Sequence, residues 1–260
     1  MGTAQAQAQL WGRHPQAWSQ TMEQQVRPLY RATLDALGPL DGRSMLDAGC
    51  GSGQAIADAA RRGATVTGVD ATPELLDVAR QRTPTADLRV GDIQELPFGD
   101  AAFDVVTAFN SIQYAADPAA AVSEMARVCR PGGQVAIGIW GDPLRCETEG
   151  LFQRLRSLAP PPPGTPAPLA CSDAGVVEDL LSKAGLSIRD GGEVPIGISF
   201  GSLDEAWEAH RSSGPLQKVI DTVGEESVRT VIDAVLTADR KPDGTYRQDN
   251  VMRYVRAAKP

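Results

Sequence analysis

The chain has 260 residues, with 25 Lys and Arg against 33 Asp and Glu, a formal net charge of −8. Its 42% hydrophobic and 22% charged residues exclude a disordered chain, and the length suits one large domain or a domain with an insertion. The acidic balance speaks against a nucleic-acid partner, no apolar run of about 18 residues predicts a membrane span, and no basic start with an apolar core marks a secretory signal, so the cytoplasm is the expected compartment.

Residues 1–40, carrying Trp11, His14 and Trp18, are expected to form a helical cover. Ser44–Ala48 reads as a buried strand ended by glycines, and Gln54–Arg62 as an alanine-rich helix closed by Gly63. Ala64–Asp70 is a second strand. Thr72-Pro73-Glu74 then reads as N-cap, first-turn proline and an acid at the positive helix end, for a helix reaching about Gln81. Ala86–Val90 and Phe103–Phe109 are the third and fourth strands. Asp117-Pro118 caps a helix with Val122, Met125, Ala126 and Cys129 on one face, Arg130–Gly133 is a turn, and Gln134–Trp140 is a fifth strand. This β-α alternation implies a mostly parallel sheet with helices on both faces. Pro160–Pro168 is an extended loop. Ser172 is expected to cap a helix ended by Gly185, and a strand follows near Leu186–Asp190. Leu203–Arg240 reads as two or three short helices broken by Gly214-Pro215 and Gly224, and Tyr246–Ala257 as a strand pair or one bent strand.

Leu46-Asp-Ala-Gly-Cys-Gly-Ser-Gly53, between a strand and a helix, is the most informative segment. Glycines there let the backbone turn sharply and a ligand touch main chain, although a glycine loop alone also fits a tight turn with no ligand. A P-loop needs Gly-Lys followed by Ser or Thr, whereas Gln54 follows Gly53. The dinucleotide fingerprint needs Gly or Ala where Gln54 stands, and no tyrosine precedes a lysine by four residues, so a nicotinamide oxidoreductase is the weaker reading. Asp70 ends the second strand, where a carboxylate can accept from both ribose hydroxyls, and Asp92 follows the third. Acids at the ends of strands 1, 2 and 3 face one crevice. Four scattered cysteines and two histidines show no metal-site spacing, so no metal is expected.

This ordered series resembles class I S-adenosylmethionine-dependent methyltransferases of the ubiquinone/menaquinone-biosynthesis type, a branch that includes bacterial enzymes acting on small molecules. The matching residues are Leu46–Gly53, Gly68-Val-Asp70, Gly91–Phe98, Phe103-Asp-Val-Val106 and Arg127–Gly133. The resemblance implies a doubly wound, mostly parallel seven-stranded sheet. Its core would span residues 41–199 and 245–260, with a helical lid inserted at 200–244. It implies S-adenosylmethionine as cofactor, with Gly49, Cys50, Gly51 and Gly53 along the methionine part and Asp47 orienting the loop and the amino group. Asp70 would hold the ribose, Ala71 would touch the adenine, Asp92 and Ile93 would read its edge, and Asn110 and Ser111 would lie beside the methionine end. Ala71 replaces the bulky aliphatic residue often found there, with Thr72 or Leu96 as candidates to restore the packing.

Methyl transfer from a sulfonium needs alignment and exclusion of water rather than a protein nucleophile, and a base only if the acceptor must lose a proton. His210 and His14 are the base candidates; each also reads as a packed or exposed histidine with no catalytic part. A base at His210 would give a pH limb near neutrality. Gln113, Tyr114, Trp140 and Trp207 are candidates to touch the substrate. Asn110-Ser-Ile-Gln-Tyr114 lacks the Asn/Asp-Pro-Pro-aromatic motif of amino-methylating DNA enzymes, which again favours a small molecule over nucleic acid. Nine acids against five bases over Asp204–Asp243 fit a cationic or neutral acceptor better than a polyanion. The same residues also fit a protein that binds the cofactor without transferring its methyl group.

Overall fold

Seven strands form one sheet in the order β3-β2-β1-β4-β5-β7-β6. The structure is a computed structural model that describes residues 3–161 and 168–260. Three helices, α1 (Ala4–Trp11), α2 (Pro15–Gln20) and α3 (Met22–Ala36), precede β1 (Ser44–Ala48). The repeating part runs through α4 (Gln54–Ala60), β2 (Thr65–Asp70), α5 (Pro73–Arg82), β3 (Asp87–Val90), β4 (Phe103–Phe109), α6 (Pro118–Val128) and β5 (Cys129–Trp140). After it come α7 (Glu147–Leu158), α8 (Val176–Lys183), β6 (Ser187–Phe200), α9 (Leu203–Arg211), α10 (Gly214–Val223), α11 (Glu225–Ala238) and β7 (Tyr246–Ala258). The first five strands pair in parallel, and β7 runs antiparallel between β5 and β6. The fold is therefore the doubly wound α/β sheet of class I methyltransferases, with strand order reversing beside β1. Every residue of β4 is buried, as expected of an apolar strand covered on both faces.

The two faces read directly from alternation along the strands. Leu46, Val106, Ile137 and Val255 pack with Val122 and Met125 of α6 and Val177 and Leu181 of α8. On the opposite face Met45, Val66 and Val105 pack with Leu34 of α3, Ile56 of α4 and Leu76 of α5. Farther along that face Ile196, Ile198, Phe200 and Met252 meet Val26 and Leu29 of α3, Leu151 of α7 and the α9–α11 helices. No helix among the described residues is long and apolar enough to cross a membrane.

Several local expectations need correction. The strand expected near Leu186–Asp190 continues to Phe200, because β7 supplies a partner along its whole length. Ser172 does not cap α8: the helix starts after Gly175, which takes a left-handed φ of 85°, and the Ser172 hydroxyl is buried without a partner among the described residues. Thr72 occupies the N-cap position of α5, but its side chain makes no capping bond; its N–H is instead held by Asp70 Oδ1 at 2.8 Å. Arg130–Gly133 is not a free turn but the irregular start of β5, with a break in register opposite Phe103–Val105. Asp117 does cap α6, accepting from the N–H groups of Ala119 and Ala120. Of the Pro160–Pro168 loop, residues 162–167 lie outside the described residues.

Candidate functional site

The glycine loop leaves β1 and turns directly under the end of β2. The N–H groups of Gly49 and Cys50 both donate to Val69 O, at 2.7 and 3.0 Å. Gly49, Gly51 and Gly53 have φ of 79°, 52° and 78°, left-handed values that favour glycine. Gly49 also has no room for a side chain, since a Cβ there would fall 2.3 Å from Ser111 Cβ. Gly49→Ala is therefore expected to lose about 1–3 kcal/mol of stability from backbone strain and the clash with Ser111. Urea denaturation at matched pH checks this, and an unchanged midpoint would contradict it. Gly53 serves packing instead: its Cβ would meet Ala79 Cβ at 2.7 Å, and it does not line the cleft as the resemblance implied. The close approach lets α4 lie against α5.

Three acids gather around this loop. Asp70 accepts from Gly51 N through Oδ2 and from Thr72 N through Oδ1, both at 2.8 Å, so it clamps the loop to the start of α5. Burial pushes its carboxyl up, and the two N–H donors oppose that. Asp47, 2% exposed, accepts from the Thr107 hydroxyl at 2.7 Å. Burial pushes its carboxyl up to about 7; the Thr107 hydrogen bond opposes the shift, and the charges of Asp70 and Glu23 add to it. Glu23, on α3, is 3% exposed and takes Arg82 Nη1 at 2.6 Å, and burial raises its carboxyl too. Sequence reasoning missed Glu23. The available signal was its spacing, since it precedes Val26 by three and Tyr30 by seven residues, which puts a charge on the buried face of α3.

The segment after β3 is tied down by α6. Arg127 donates to Leu96 O and Phe98 O at 3.0 and 2.8 Å, and Glu124 Oε2 accepts from Leu96 N at 2.8 Å. Asp92 accepts from the Gln94 N–H at 2.9 Å. The matching stretches Gly91–Phe98 and Arg127–Gly133 thus belong to one bracing system. It holds Asp92 and Ile93 in the cleft that Asp47, Asp70 and Glu23 also line.

That cleft encloses about 1380 Å³ of empty space, open solvent at its mouth included. Gly49, Cys50, Gly51, Ala71, Asn110 and Ser111 lie on its sheet side. Asn110 has a left-handed φ of 47°, uncommon for a residue with a side chain, and turns the chain out of β4. Thr72 and Leu75 join Ala71 in the lining, while Leu96 is buried beneath it. Seven aromatic side chains line it as well: Trp11, Trp18, Tyr30, Phe109, Tyr114, Trp140 and Phe152. Trp11 stands edge-on to Trp18 and Tyr114, with ring centres 4.8 and 5.8 Å apart.

Of the substrate and base candidates, His210, Tyr114 and Trp140 line this cleft; His14, Gln113 and Trp207 do not. Gln113 is buried with its Oε1 unpartnered among the described residues, and Trp207 packs inside the α9–α11 layer under the Arg229 guanidinium. His210 is 2% exposed, and burial pushes its imidazole down to about 4. Any pH limb from it in the free protein therefore belongs near 4, not near neutrality. The surplus charge of Asp204–Asp243 does not face the cleft either, to which this stretch contributes only His210, Ser213, Pro215 and Leu216. Asp221 pairs with Arg13, and Asp204 and Asp233 with Arg229. Among the described residues no group of three or more His, Cys, Asp or Glu is arranged to hold a metal ion.

The family model described as a methyltransferase domain matches residues 46–137, which hold the glycine loop, Asp70, Asp92 and the Arg127 brace. This stretch is a methyltransferase domain. The chain is 36% identical over 122 residues to the demethylmenaquinone methyltransferase of Beutenbergia cavernae, covering 47% of this chain and 51% of that protein. It is 41% identical over 118 residues to the ubiquinone biosynthesis O-methyltransferase of Paracidovorax citrulli, covering 43% and 49%. The chain thus spans about half the length of these curated relatives. Its fold is similar to that of phosphoethanolamine N-methyltransferase 2 of Haemonchus contortus in complex with S-adenosyl-L-methionine. The TM-score is 0.58 at 22% identity, over 89% of this chain and 52% of that one. Residues 138–260 and the N-terminal helices lie outside the match to the methyltransferase domain.

Proposed function

We propose that this chain is an enzyme that transfers a methyl group from S-adenosylmethionine to a small-molecule acceptor. The observation that carries the reading is the charge of the cleft. Four acids line it beside a tight glycine loop, and no Lys or Arg does among the described residues. Three of those acids have carboxyls raised by burial, an environment that gains when a cation arrives. A cofactor with an ammonium and a sulfonium suits it, whereas the pyrophosphate of a nicotinamide dinucleotide does not. Bound there, S-adenosylmethionine supplies a methyl group for in-line displacement. Asp70 would hold the ribose hydroxyls with the lone pairs left free by Gly51 and Thr72. Asp92, Ile93 and Ala71 would take the adenine, and Gly49 and Gly51 would let the methionine part lie on main chain. Glu23 and Asp47 would meet its positive end. The N-terminal helices and α9–α11 would keep water out.

Calorimetry with S-adenosylhomocysteine and with NAD tests the cofactor reading, and binding of NAD alone would overturn it. A labelled-methyl screen of metabolite extracts then separates a transferring enzyme from a silent binder.

The acids add a pH signature. Asp47 in the native protein titrates near 7, well above an unfolded aspartate at about 4, so the native state keeps a proton that the unfolded chain has lost. Its contribution to stability is therefore greatest below about pH 4 and falls as pH rises to about 7. A bound ammonium reverses the preference and drives the proton off. Affinity for S-adenosylhomocysteine should rise with pH up to about 7, with net proton release at about pH 6. Titrations in two buffers of different ionisation enthalpy measure that release, and identical apparent enthalpies at pH 6 would contradict it.

A further inference from the structure

A single arginine touches three separate parts of the chain around the cleft. Arg82 lies in the last turn of α5. Its Nη1 donates to Glu23 Oε2 at 2.6 Å and to Ser52 O at 2.8 Å, and its Nη2 to Ser19 O at a longer 3.4 Å. Ser52 sits in the glycine loop between Gly51 and Gly53, Glu23 belongs to the first turn of α3 and lines the cleft, and Ser19 is next to last in α2. The loop is thereby held from both ends of α5, by Asp70 through Gly51 N before the helix and by Arg82 through Ser52 O at its end. The side chains of Arg82 and Glu23 are 20% and 4% exposed, against 47% and 68% for the nearby pair Arg80–Asp77, a surface contact of little consequence. A second link runs alongside. Gln24 Nε2 donates to Ser19 O at 2.8 Å and to Oε1 of Gln54, the first residue of α4, at 3.1 Å. Trp18, next to Ser19, meets Trp11 edge-on, and Trp11 rests on Gly214 of α10. α1 buries no residue and α2 only Ser19, so few apolar contacts compete with these polar ties in docking the two helices.

We propose that Arg82 is the positioning residue that couples the cofactor loop to the N-terminal helices, so that a filled cofactor site and a docked α1–α2 favour each other. This rests on the cofactor reading and is independent of which molecule accepts the methyl group. Arg82 does not itself line the cleft; it acts through Ser52 and Glu23. A ligand against the glycine loop and Glu23 fixes two of the three groups held by the guanidinium. The third bond, to Ser19, then costs less ordering, and α1–α2 settle with it. The planar fork keeps its nitrogens in one fixed geometry, so a shift on one side is felt on the other, which a single ammonium on a flexible stem does not reproduce. Linkage is reciprocal, so docking of α1–α2 must tighten the cofactor by the same factor.

A double-mutant cycle tests the coupling. The Kd for S-adenosylhomocysteine is measured by calorimetry on the full chain and on the chain lacking residues 1–20, each with Arg82, Arg82→Met or Arg82→Lys. With Arg82 in place the truncation should weaken binding about tenfold, within the usual range of coupling between sites. In Arg82→Met the penalty of truncation should shrink to within about twofold, because the two parts are already uncoupled; a purely structural arginine would leave that ratio unchanged. Arg82→Lys keeps a counter-charge for buried Glu23, so it should hold the melting temperature near wild type, yet its single nitrogen should leave the penalty at about threefold or less. It also decides the matter if Arg82→Met lacks native circular dichroism. A tenfold penalty in every background would overturn the proposal, as would full restoration of it by lysine or a wild-type penalty under about twofold. If S-adenosylhomocysteine binds no form, the cofactor reading fails by itself, and hydrogen exchange on the bare chain decides this one. Arg82→Lys should then speed exchange at least about threefold in residues 4–20 and 50–53 together, with β4 unchanged. Unchanged exchange in residues 4–20 would break the link.

Discussion

Asp70→Ala is expected to weaken S-adenosylhomocysteine binding by about 1–3 kcal/mol, roughly five- to 150-fold, the scale of losing hydrogen bonds to a charged group. Two losses combine. The ribose hydroxyls would lose their acceptor, and the Gly51 and Thr72 N–H groups would lose the carboxylate that now ties the glycine loop to α5. Asp70→Asn separates them. It keeps one side-chain oxygen for one of the two N–H groups, but places an NH₂ against the other. The asparagine variant should therefore lie between wild type and Asp70→Ala. Calorimetry on variants with native circular dichroism measures both, and an affinity within twofold of wild type in a folded Asp70→Ala protein would refute the ribose assignment.

Removal of residues 1–20 is expected to reduce turnover about 100-fold, the scale set by misplaced reactants and admitted water, yet to lower the melting temperature by no more than about 4 °C. The asymmetry comes from burial. α1 contains no buried residue and α2 only Ser19, so little of the core leaves with them. What leaves is part of the cleft's aromatic lining, Trp11 and Trp18. Thr3 donates to Tyr114 O at 2.6 Å, and Arg13 forms a two-pronged pair with Asp221 on α10 at 2.7 Å. Trp11 packs so closely on Gly214 that a Cβ there would come within 2.6 Å of its Nε1. Turnover on the identified acceptor and a thermal melt, measured on the same preparation, test the pair of expectations. Full turnover in the truncated protein would remove α1 and α2 from the lid.

The parts of the molecule legible in its sequence are those whose cause is local. β1, β2 and β4 announce themselves as short β-branched or apolar runs, the first two stopped by glycine or an acid, and the Asp117 cap lies next to the groups it binds. The full length of β6 was not legible, because Gly191, Gly192 and Pro195 look like strand breakers and only pairing with β7 overrides them. The cleft divides in the same way. Asp47, Asp70 and Asp92 each sit at a strand end with a readable motif. Glu23 and the aromatic walls come from helices and strand ends far apart in sequence, and nothing near them marks the meeting point. Gly53 was readable as a glycine that must be glycine, but whether the reason is a ligand or Ala79 depends on how α5 packs.

The strand order also sets a timetable for assembly. Among the described residues β6 has β7 as its only neighbour in the sheet, and 45 residues separate the end of one from the start of the other. At a synthesis rate of about 5–20 residues per second, β6 spends several seconds as a finished strand with no partner to receive it. The five parallel strands can close during that interval, but β5 is left with an open edge until β7 slots in beside it. A nascent chain therefore carries two waiting edges at once, and each can pair wrongly with another chain. Yield on overexpression should depend on how quickly residues 246–258 follow. Chaperones that shield strand edges should act on this protein late in translation, after the methyltransferase domain itself has formed.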